Sequence, residues 1–234
     1  MYVCGKNVAN QLIDNNKKIN KIFLSDSFSD AKIQKKIEDK KIVTNILDKR
    51  KMNKIIDNNQ GIILEIDDYK LYDEKYLFSN LSDNPFIVIL DHIEDTHNFG
   101  AIIRTCESAG VDFLVIPKNR SVKVNSTVIK TSTGAIENIK IVSVTNLNNF
   151  IKTLKKHNIW VYCAEMDTKM YYDDADFKMP TAIVIGSEGF GISKLVMENC
   201  DFIVKIPMYG KTNSLNASVA AGIFIYEVIR QRRR

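Results

Sequence analysis

Short, almost wholly apolar runs alternate with longer segments of helical periodicity in the last two thirds of the chain. The run Phe86–Leu90 is typical of a strand buried on both faces. Similar runs predict strands at Val111–Ile116, Ile139–Val144, Ile159–Ala164, Ala182–Ile185 and Phe202–Ile206. The segments between them predict helices at Gly100–Ala109, Asn148–His157, Ser193–Glu198 and Ala217–Arg230. This alternation predicts an α/β fold with a largely parallel, doubly wound sheet.

The first 70 residues show the same alternation on a smaller scale. The pattern predicts strands at Lys21–Ser25, Ile42–Asn45 and Gly61–Ile66, and helices at Asn7–Asn15, Asp30–Asp39 and Asp48–Ile56. We therefore expect a small α/β/α domain over residues 1–70. Residues 71–84 are polar and have no clear period, so they are interpreted as a linker that carries some structure. Residues 85–234 form the predicted C-terminal domain.

Composition adds little to this picture. The net charge of +5 is compatible with a nucleic-acid partner but does not demonstrate one. The basic end, Arg230–Arg234, is interpreted either as a solvated tail or as a phosphate contact. The four cysteines form no C-x-x-C pair and read as reduced thiols of a cytoplasmic protein. No apolar run reaches the length needed to cross a membrane.

Three segments of unusual composition follow predicted strands, at the edge of the sheet where such folds bind ligands. The first, residues 91–105, contains Asn98, which is either a helix cap or a site residue, and Arg104, which is either a solvated charge or a site residue. His92 and His97 lack a third ligand at a suitable spacing, so no metal is expected.

The second segment, Gly186–Gly191, has three glycines in six residues, which permits a tight turn and close approach to a ligand. It matches neither G-x-G-x-x-G nor the G-x-S-x-G nucleophile motif. The third, residues 206–218, contains Gly210-Lys211-Thr212, but Lys205 stands where a phosphate-binding loop needs glycine. Ser214 and Asn216 also fit as plain helix caps.

These segments together, in this order, resemble the three motifs of the SpoU (TrmH-type) RNA ribose methyltransferases. The resemblance covers about 150 residues from Pro85 to the C-terminus, and it is strongest to the RlmB-like branch that acts on guanosine in bacterial 23S rRNA. Additional matches are Ile206-Pro207-Met208, Thr133-Gly134-Ala135 and Glu198–Asp201. The first 70 residues look like the ribosomal-protein-like RNA-binding domain often fused to this family.

The resemblance implies a deep trefoil knot, S-adenosylmethionine as cofactor, transfer of its methyl group to a ribose 2′-hydroxyl, and a homodimer. It implies no metal and no membrane. The cofactor-binding positions carried over are Gly186, Ile206, Met208, Leu215 and Asn216. The catalytic positions carried over are Arg104, Asn98, Glu188, Ser214 and Asn216.

The resemblance implies that Arg104 activates the 2′-hydroxyl, either as a general base or as an electrostatic stabiliser. A base requires a strongly perturbed guanidinium, because this group stays protonated in proteins. The role that its chemistry favours is to bind the adjoining phosphate and to stabilise developing alkoxide charge. Asn98 is expected to orient Arg104.

Three alternatives remain open at this point. The substrate is either large-subunit rRNA or tRNA. The chain is either an enzyme or a non-catalytic RNA-binding or ribosome-assembly protein on the same fold. Finally, the Gly186–Gly191 turn is also compatible with a nucleotide-dependent enzyme of another class.

Overall fold

A computed structural model describes residues 1–119 and 121–233. Arg120 and the last residue of the predicted C-terminal domain, Arg234, lie outside the described residues. The chain divides into two compact units. Met1–Tyr69 and Val124–Gly134 form the first unit, and Lys70–Lys123 with the chain from Ala135 onward form the second. The predicted domain limits of 1–70, 71–84 and 85–234 stay predictions.

The elements in the described part of the chain are, in order, β1 (Tyr2–Cys4), α1 (Lys6–Asp14), β2 (Ile19–Ser25), α2 (Ala31–Asp39), β3 (Thr44–Leu47), α3 (Lys49–Ile55), β4 (Ile62–Ile66), α4 (Glu74–Ser79), β5 (Phe86–Asp91), α5 (Thr96–Ser108), β6 (Phe113–Pro117), α6 (Ser126–Ser132), β7 (Ile141–Val144), α7 (Leu147–Lys156), β8 (Trp160–Ala164), β9 (Thr181–Gly186), α8 (Lys194–Asn199), β10 (Phe202–Val204) and α9 (Ala217–Arg232). Short 3-10 turns lie at Ala135–Glu137 and Tyr172–Asp174.

The first unit has a mixed sheet in the order β1-β4-β2-β3. Strands β2 and β3 are parallel, whereas β4 is antiparallel to both β1 and β2. The sheet of this unit is therefore mixed, unlike the parallel sheet predicted for the C-terminal domain. The pattern did not reveal β1, because three residues are too few to establish a period. Helix α6 belongs to this unit and buries Ile129 in its core.

The second unit has a parallel sheet in the order β10-β8-β9-β5-β6-β7, as the described residues define it. The predicted α/β fold with a parallel sheet is confirmed here. Most apolar residues of β5, β6, β8 and β9 are buried because helices cover the sheet, and Trp160 at the start of β8 is the exposed exception. Phe150 and Leu154 of α7 pack into the same core.

The segment expected to link the domains is tied to the second unit. Tyr72 exchanges backbone hydrogen bonds with β7, donating to Ile141 and accepting from Ser143. Asp73 caps α4, and Leu77 of that helix is fully buried in the core of the second unit. Apolar contacts of this kind occur at isolated positions, which explains why no period is visible in the sequence.

Two basic residues near the C-terminus, Arg230 and Arg232, are bound within the chain and not free as a tail or a phosphate site. Arg232 donates hydrogen bonds to the backbone oxygens of Asn84, Pro85, Phe177 and Met179. Arg230 forms a bidentate ion pair with Glu227 one turn earlier. These contacts fasten α9 to the segment that enters β5.

Two general findings concern the described residues as a whole. No helix among them is both long and apolar enough to span a membrane. No group of three or more His, Cys, Asp or Glu side chains in this part of the chain is arranged to hold a metal ion.

Candidate active site

The carboxyl ends of four neighbouring parallel strands define the candidate site. Asp91 at the end of β5 pairs in register with Gly186 at the end of β9, and β8 and β10 end beside them. Because parallel strands point the same way, the segments that follow these strands all emerge at one edge of the sheet. Two of the predicted motif segments start there directly, and the third follows β10.

Helix α5 starts at this edge, and its first turn differs from the prediction. The helix begins at Thr96 rather than Gly100, and Asp95 is its N-cap, accepting a hydrogen bond from the backbone nitrogen of Asn98 at 2.7 Å. Aspartate and asparagine are both good caps, so the sequence pattern did not discriminate between them. Asn98 is thereby freed to use its side chain elsewhere.

The side chains of Asn98, Glu188 and Asn216 form one hydrogen-bonded cluster. The amide nitrogen of Asn98 donates to Glu188 Oε1 at 2.9 Å. The amide nitrogen of Asn216 donates to Asn98 Oδ1 at 2.9 Å and also to Glu188 Oε1. The same carboxylate oxygen accepts from the backbone nitrogen of Ala217 at 3.3 Å. One residue from each of the three predicted motifs thus meets at a single point.

Asn216 has a second role, which the sequence had left open. Its Oδ1 accepts hydrogen bonds from the backbone nitrogens of Ser218 and Val219, so it is the N-cap of α9. The cap fixes the side chain, and the amide nitrogen that remains then reaches Asn98 and Glu188. Asn216 is therefore both the N-cap of α9 and a member of the hydrogen-bonded cluster.

The glycine-rich segment forms a closed turn after β9. Ser187 and Gly191 exchange backbone hydrogen bonds of 3.2 and 2.8 Å. A Cβ atom on Gly186 would lie 2.3 Å from the carbonyl carbon and oxygen of Gly191, well inside van der Waals contact. Gly186 therefore has to be glycine for the turn to fold back on the strand. The buried carboxylate of Asp91 supports the far end of the turn by accepting from the backbone nitrogen of Ser193 at 2.8 Å.

A cavity of about 440 Å³ opens beside this turn. Its lining includes four of the five predicted cofactor-binding residues, Gly186, Ile206, Met208 and Leu215, together with two of the predicted catalytic residues, Glu188 and Ser214. Phe224 of α9 also lines it, so apolar side chains and backbone dominate one part of the wall. The size is within the range of small-molecule sites, about 300–1,000 Å³.

The sequence interpretation missed one wall of this cavity. Ala164, Glu165 and Met166 line it directly after β8. The signal was available, because β8 was predicted and ligands bind at the carboxyl ends of such strands. The segment was passed over because a lone acidic residue after a strand matches no motif.

Asn216 and Arg104 are not among the residues that line this cavity. Asn216 contacts the site through the cluster described above. Arg104 is exposed on α5, and its guanidinium has no hydrogen bond or ion pair within the described chain. Six residues of helix rotate it by about 240° from Asn98, so the two side chains leave different faces. The amide of Asn98 binds Glu188 and Asn216 rather than Arg104.

A second cleft of about 350 Å³ shares the turn residues Ser187–Phe190 and Ala217 with the cavity. Its remaining lining comes from the segment that follows β5, namely His92, Ile93, Glu94, Asp95 and Asn98. The Asn98–Glu188 hydrogen bond therefore lies at a place where the two recesses adjoin.

Cys106 lies on the inner face of α5, close in sequence to Arg104, but it offers no reactive thiolate. Its side chain is fully buried, and burial raises the pKa of its thiol far above the usual value. All four cysteines are free in this structure. The candidate site therefore has no cysteine nucleophile.

Comparison with known proteins agrees with this geometry. Residues 85–226 match the SpoU rRNA Methylase family, and residues 2–72 match the family described as RNA 2′-O ribose methyltransferase substrate binding. A Bacillus subtilis (strain 168) protein assigned to the TrmH family of tRNA/rRNA methyltransferases is 39% identical over 99% of this chain and 96% of its own length. A Staphylococcus haemolyticus protein with the same assignment is 40% identical over 100% of this chain and 97% of its own length.

Among solved structures, the SpoU methyltransferase AviRb from Streptomyces viridochromogenes, in complex with AdoMet, matches with a TM-score of 0.79. The match covers 99% of this chain and 90% of AviRb at 20% identity, so it concerns the fold. The family match and the full-length relatives carry the assignment. The chain therefore belongs to the SpoU rRNA Methylase family, in the TrmH group of tRNA/rRNA methyltransferases, as its three motifs predicted.

Proposed function

We propose that this protein transfers the methyl group of S-adenosylmethionine to a ribose 2′-hydroxyl of RNA, at a guanosine of large-subunit (23S) rRNA. The observation that carries the proposal is the meeting of Asn98, Glu188 and Asn216 beside a cavity lined by Gly186, Ile206, Met208 and Leu215. Three segments far apart in the sequence converge on one small-molecule cavity, and a convergent polar cluster beside such a cavity is the usual form of an active site.

The cavity fits S-adenosylmethionine in size and chemistry. The absent Cβ of Gly186 lets the backbone come close, and Ile206, Met208 and Leu215 supply apolar contacts for an adenosine. The carboxylates of Glu165 and Glu188 lie in the lining and complement the positive charge of a sulfonium compound. When bound, the cofactor supplies an electrophilic methyl group.

Arg104 is proposed to bind the phosphate next to the target ribose and to stabilise negative charge developing on the 2′-oxygen. Its guanidinium is exposed and forms no ion pair within the described chain. It is therefore available to bind an anionic partner such as an RNA phosphate. It stays protonated under ordinary conditions, so electrostatic stabilisation is the role that its chemistry favours. Ser214, in the lining of the cavity, is proposed to hold the substrate by a hydrogen bond.

The first unit is proposed to hold the RNA. It contains an open cleft of about 730 Å³ whose lining is mostly polar and includes Lys6, Lys49, Asn53 and Asn58. Lysine and asparagine side chains are common donors to RNA phosphates and base edges. The match of this region to a substrate-binding family supports the same role.

A homodimer is proposed as the working form, and a trefoil knot as the topology around the cavity. Helix α9 leaves Val219 and Tyr226 half exposed, seven residues apart and so on one face, which offers an apolar strip for a second copy. Because Arg104 does not line the cavity of its own chain, a second subunit would bring an Arg104 to it. The knot is inferred from family membership.

Labelled methyl transfer in vitro tests the proposed function. The purified chain is incubated with methyl-labelled S-adenosylmethionine and with either a 23S rRNA transcript or bulk tRNA, and the RNA is digested to nucleosides. We expect label in 2′-O-methylguanosine from the rRNA. Label in tRNA alone would support the tRNA alternative, and binding of RNA without any transfer would support the non-catalytic one.

A further inference from the structure

An aromatic side chain stands exposed where the two recesses adjoin. Phe190 lines both the cavity and the second cleft, and 73% of its surface is exposed. It lies between Gly189 and Gly191, and a Cβ on Gly189 would meet nothing within 4 Å. The ring therefore projects from a bare glycine turn, and most of its surface is free to contact a ligand.

The ring of Phe190 is supported from the side of the second cleft. Its centroid lies 5.3 Å from that of His92, with 36° between the planes. His92 lines the second cleft but is not among the residues of the cavity, so this contact orients Phe190 toward the cleft.

His92 itself has a left-handed backbone conformation and lies beside a buried carboxylate. Its φ of 58° lies in the left-handed region, which residues other than glycine adopt infrequently, although asparagine, aspartate and histidine do so more often than the rest. Its Nδ1 atom lies 2.7 Å from the buried carboxylate of Asp91. An uncommon backbone conformation that is held by its surroundings is typical of residues that shape a ligand site.

The charge of the second cleft decides which part of an RNA would enter it. Glu94, Asp95 and Glu188 contribute carboxylates to its lining, and the described lining has no lysine or arginine. Carboxylates repel phosphates but accept hydrogen bonds from the N–H groups of a nucleobase edge. A base, rather than the backbone, is therefore the chemical partner that suits this recess.

We propose that Phe190 is the platform on which the nucleobase of the methylated nucleotide stacks, with that base seated in the second cleft. This rests on the proposed function, because it needs an RNA substrate. Proteins that read single-stranded RNA commonly stack an unpaired base on an aromatic side chain. A base stacked here has its ribose near the Asn98–Glu188 hydrogen bond, where the cleft adjoins the cavity.

Two other partners for Phe190 fit the structure less well. Phe190 also lines the cavity, but its ring is largely exposed and packs against His92, which lies outside the cavity, so a role confined to the cofactor fits less well. A subunit contact requires a second copy to cover a cleft rich in carboxylates, whereas the apolar strip of α9 suits an interface better.

Two substitutions at Phe190 test the proposal, because they distinguish the effect of the aromatic ring from the effect of an apolar side chain. Phe190→Leu keeps an apolar side chain but removes the ring, and Phe190→Tyr restores the ring. With a 23S rRNA transcript, we expect Phe190→Leu to lower kcat/KM about tenfold or more, mainly through KM for the RNA, and Phe190→Tyr to stay near wild type. Affinity for S-adenosylhomocysteine, measured by calorimetry, should not change. Leu195→Ala, which removes an exposed apolar side chain of α8 outside both recesses, serves as the matched control.

The possible failures are distinguishable. If the wild type transfers no methyl group to either RNA, the proposed function fails and the stacking role fails with it. If the wild type is active and Phe190→Leu is equally active, the stacking role alone is wrong. A loss of affinity for S-adenosylhomocysteine would reassign Phe190 to the cofactor. A change of oligomeric state in sedimentation equilibrium would reassign it to a subunit interface.

Discussion

Asn98 and Glu188 are 90 residues apart in the sequence, yet their side chains are joined by a hydrogen bond of 2.9 Å. The bond connects the first turn of α5 to the glycine turn after β9. The amide of Asn216, at the start of α9, binds both partners. The carboxylate of Glu188 is therefore the common acceptor that holds three separate segments together beside the cavity.

Removing this common acceptor should impair catalysis more than folding. We expect Glu188→Ala to lower the rate of methyl transfer at least about tenfold, the equivalent of about 1.4 kcal/mol, because Asn98, Asn216 and Ala217 lose their shared partner. Glu188→Gln keeps one acceptor oxygen and should retain more activity. Glu198→Ala removes an exposed carboxylate of α8 and is the control. Equal activity of Glu188→Ala and wild type would contradict the role given to the cluster.

The turn after β9 should tolerate no side chain at Gly186. In Gly186→Ala the new Cβ would lie 2.3 Å from backbone atoms of Gly191, which no rotamer change relieves. We expect a lower Tm and a loss of affinity for S-adenosylhomocysteine, measured by scanning calorimetry and titration calorimetry. Gly210→Ala is the matched control, since its Cβ would meet nothing within 4 Å and it does not line the cavity. If the two variants behave alike, the close approach at Gly186 does not shape the cavity.

Most of the second unit is predictable from sequence because most residues of its central strands are buried. Buried parallel strands such as β5 read as continuous apolar runs, and helices such as α7 carry a clear period. The first unit was harder, since β1 has three residues and α6 joins it from a distant part of the chain. The local pattern of apolar residues does not show that a three-residue strand or a helix from a distant part of the chain packs into this unit.

The motif residues were predictable individually, but their arrangement was not. The sequence interpretation offered Asn98 as a possible cap of α5, but the cap is Asp95, and the side chain of Asn98 binds Glu188 instead. Glu165 carried no motif and was missed. The exposed position of Arg104, away from the lining of the cavity, depends on helix phase and assembly, neither of which a motif records.

Arg104 should matter for transfer and not for holding the cofactor. We expect Arg104→Ala to lower methyl transfer by about 100-fold or more, in line with the loss of one group that stabilises developing charge. Arg104→Lys should fail as well, because a point charge does not reproduce the planar guanidinium. Affinity for S-adenosylhomocysteine should remain at the wild-type level, since Arg104 is proposed to contact the RNA phosphate and the 2′-oxygen and not the cofactor. A parallel loss of cofactor affinity would contradict the proposed role.

The most direct measurement of the central claim is a map of ribose methylation across rRNA and tRNA from cells that lack this protein. We expect the loss of one 2′-O-methyl group from a guanosine of 23S rRNA. We also expect the wild-type gene to restore this methyl group and the Arg104→Ala variant not to restore it. An unchanged map, or the loss of a methyl group carried by a base instead of a ribose, would contradict the account.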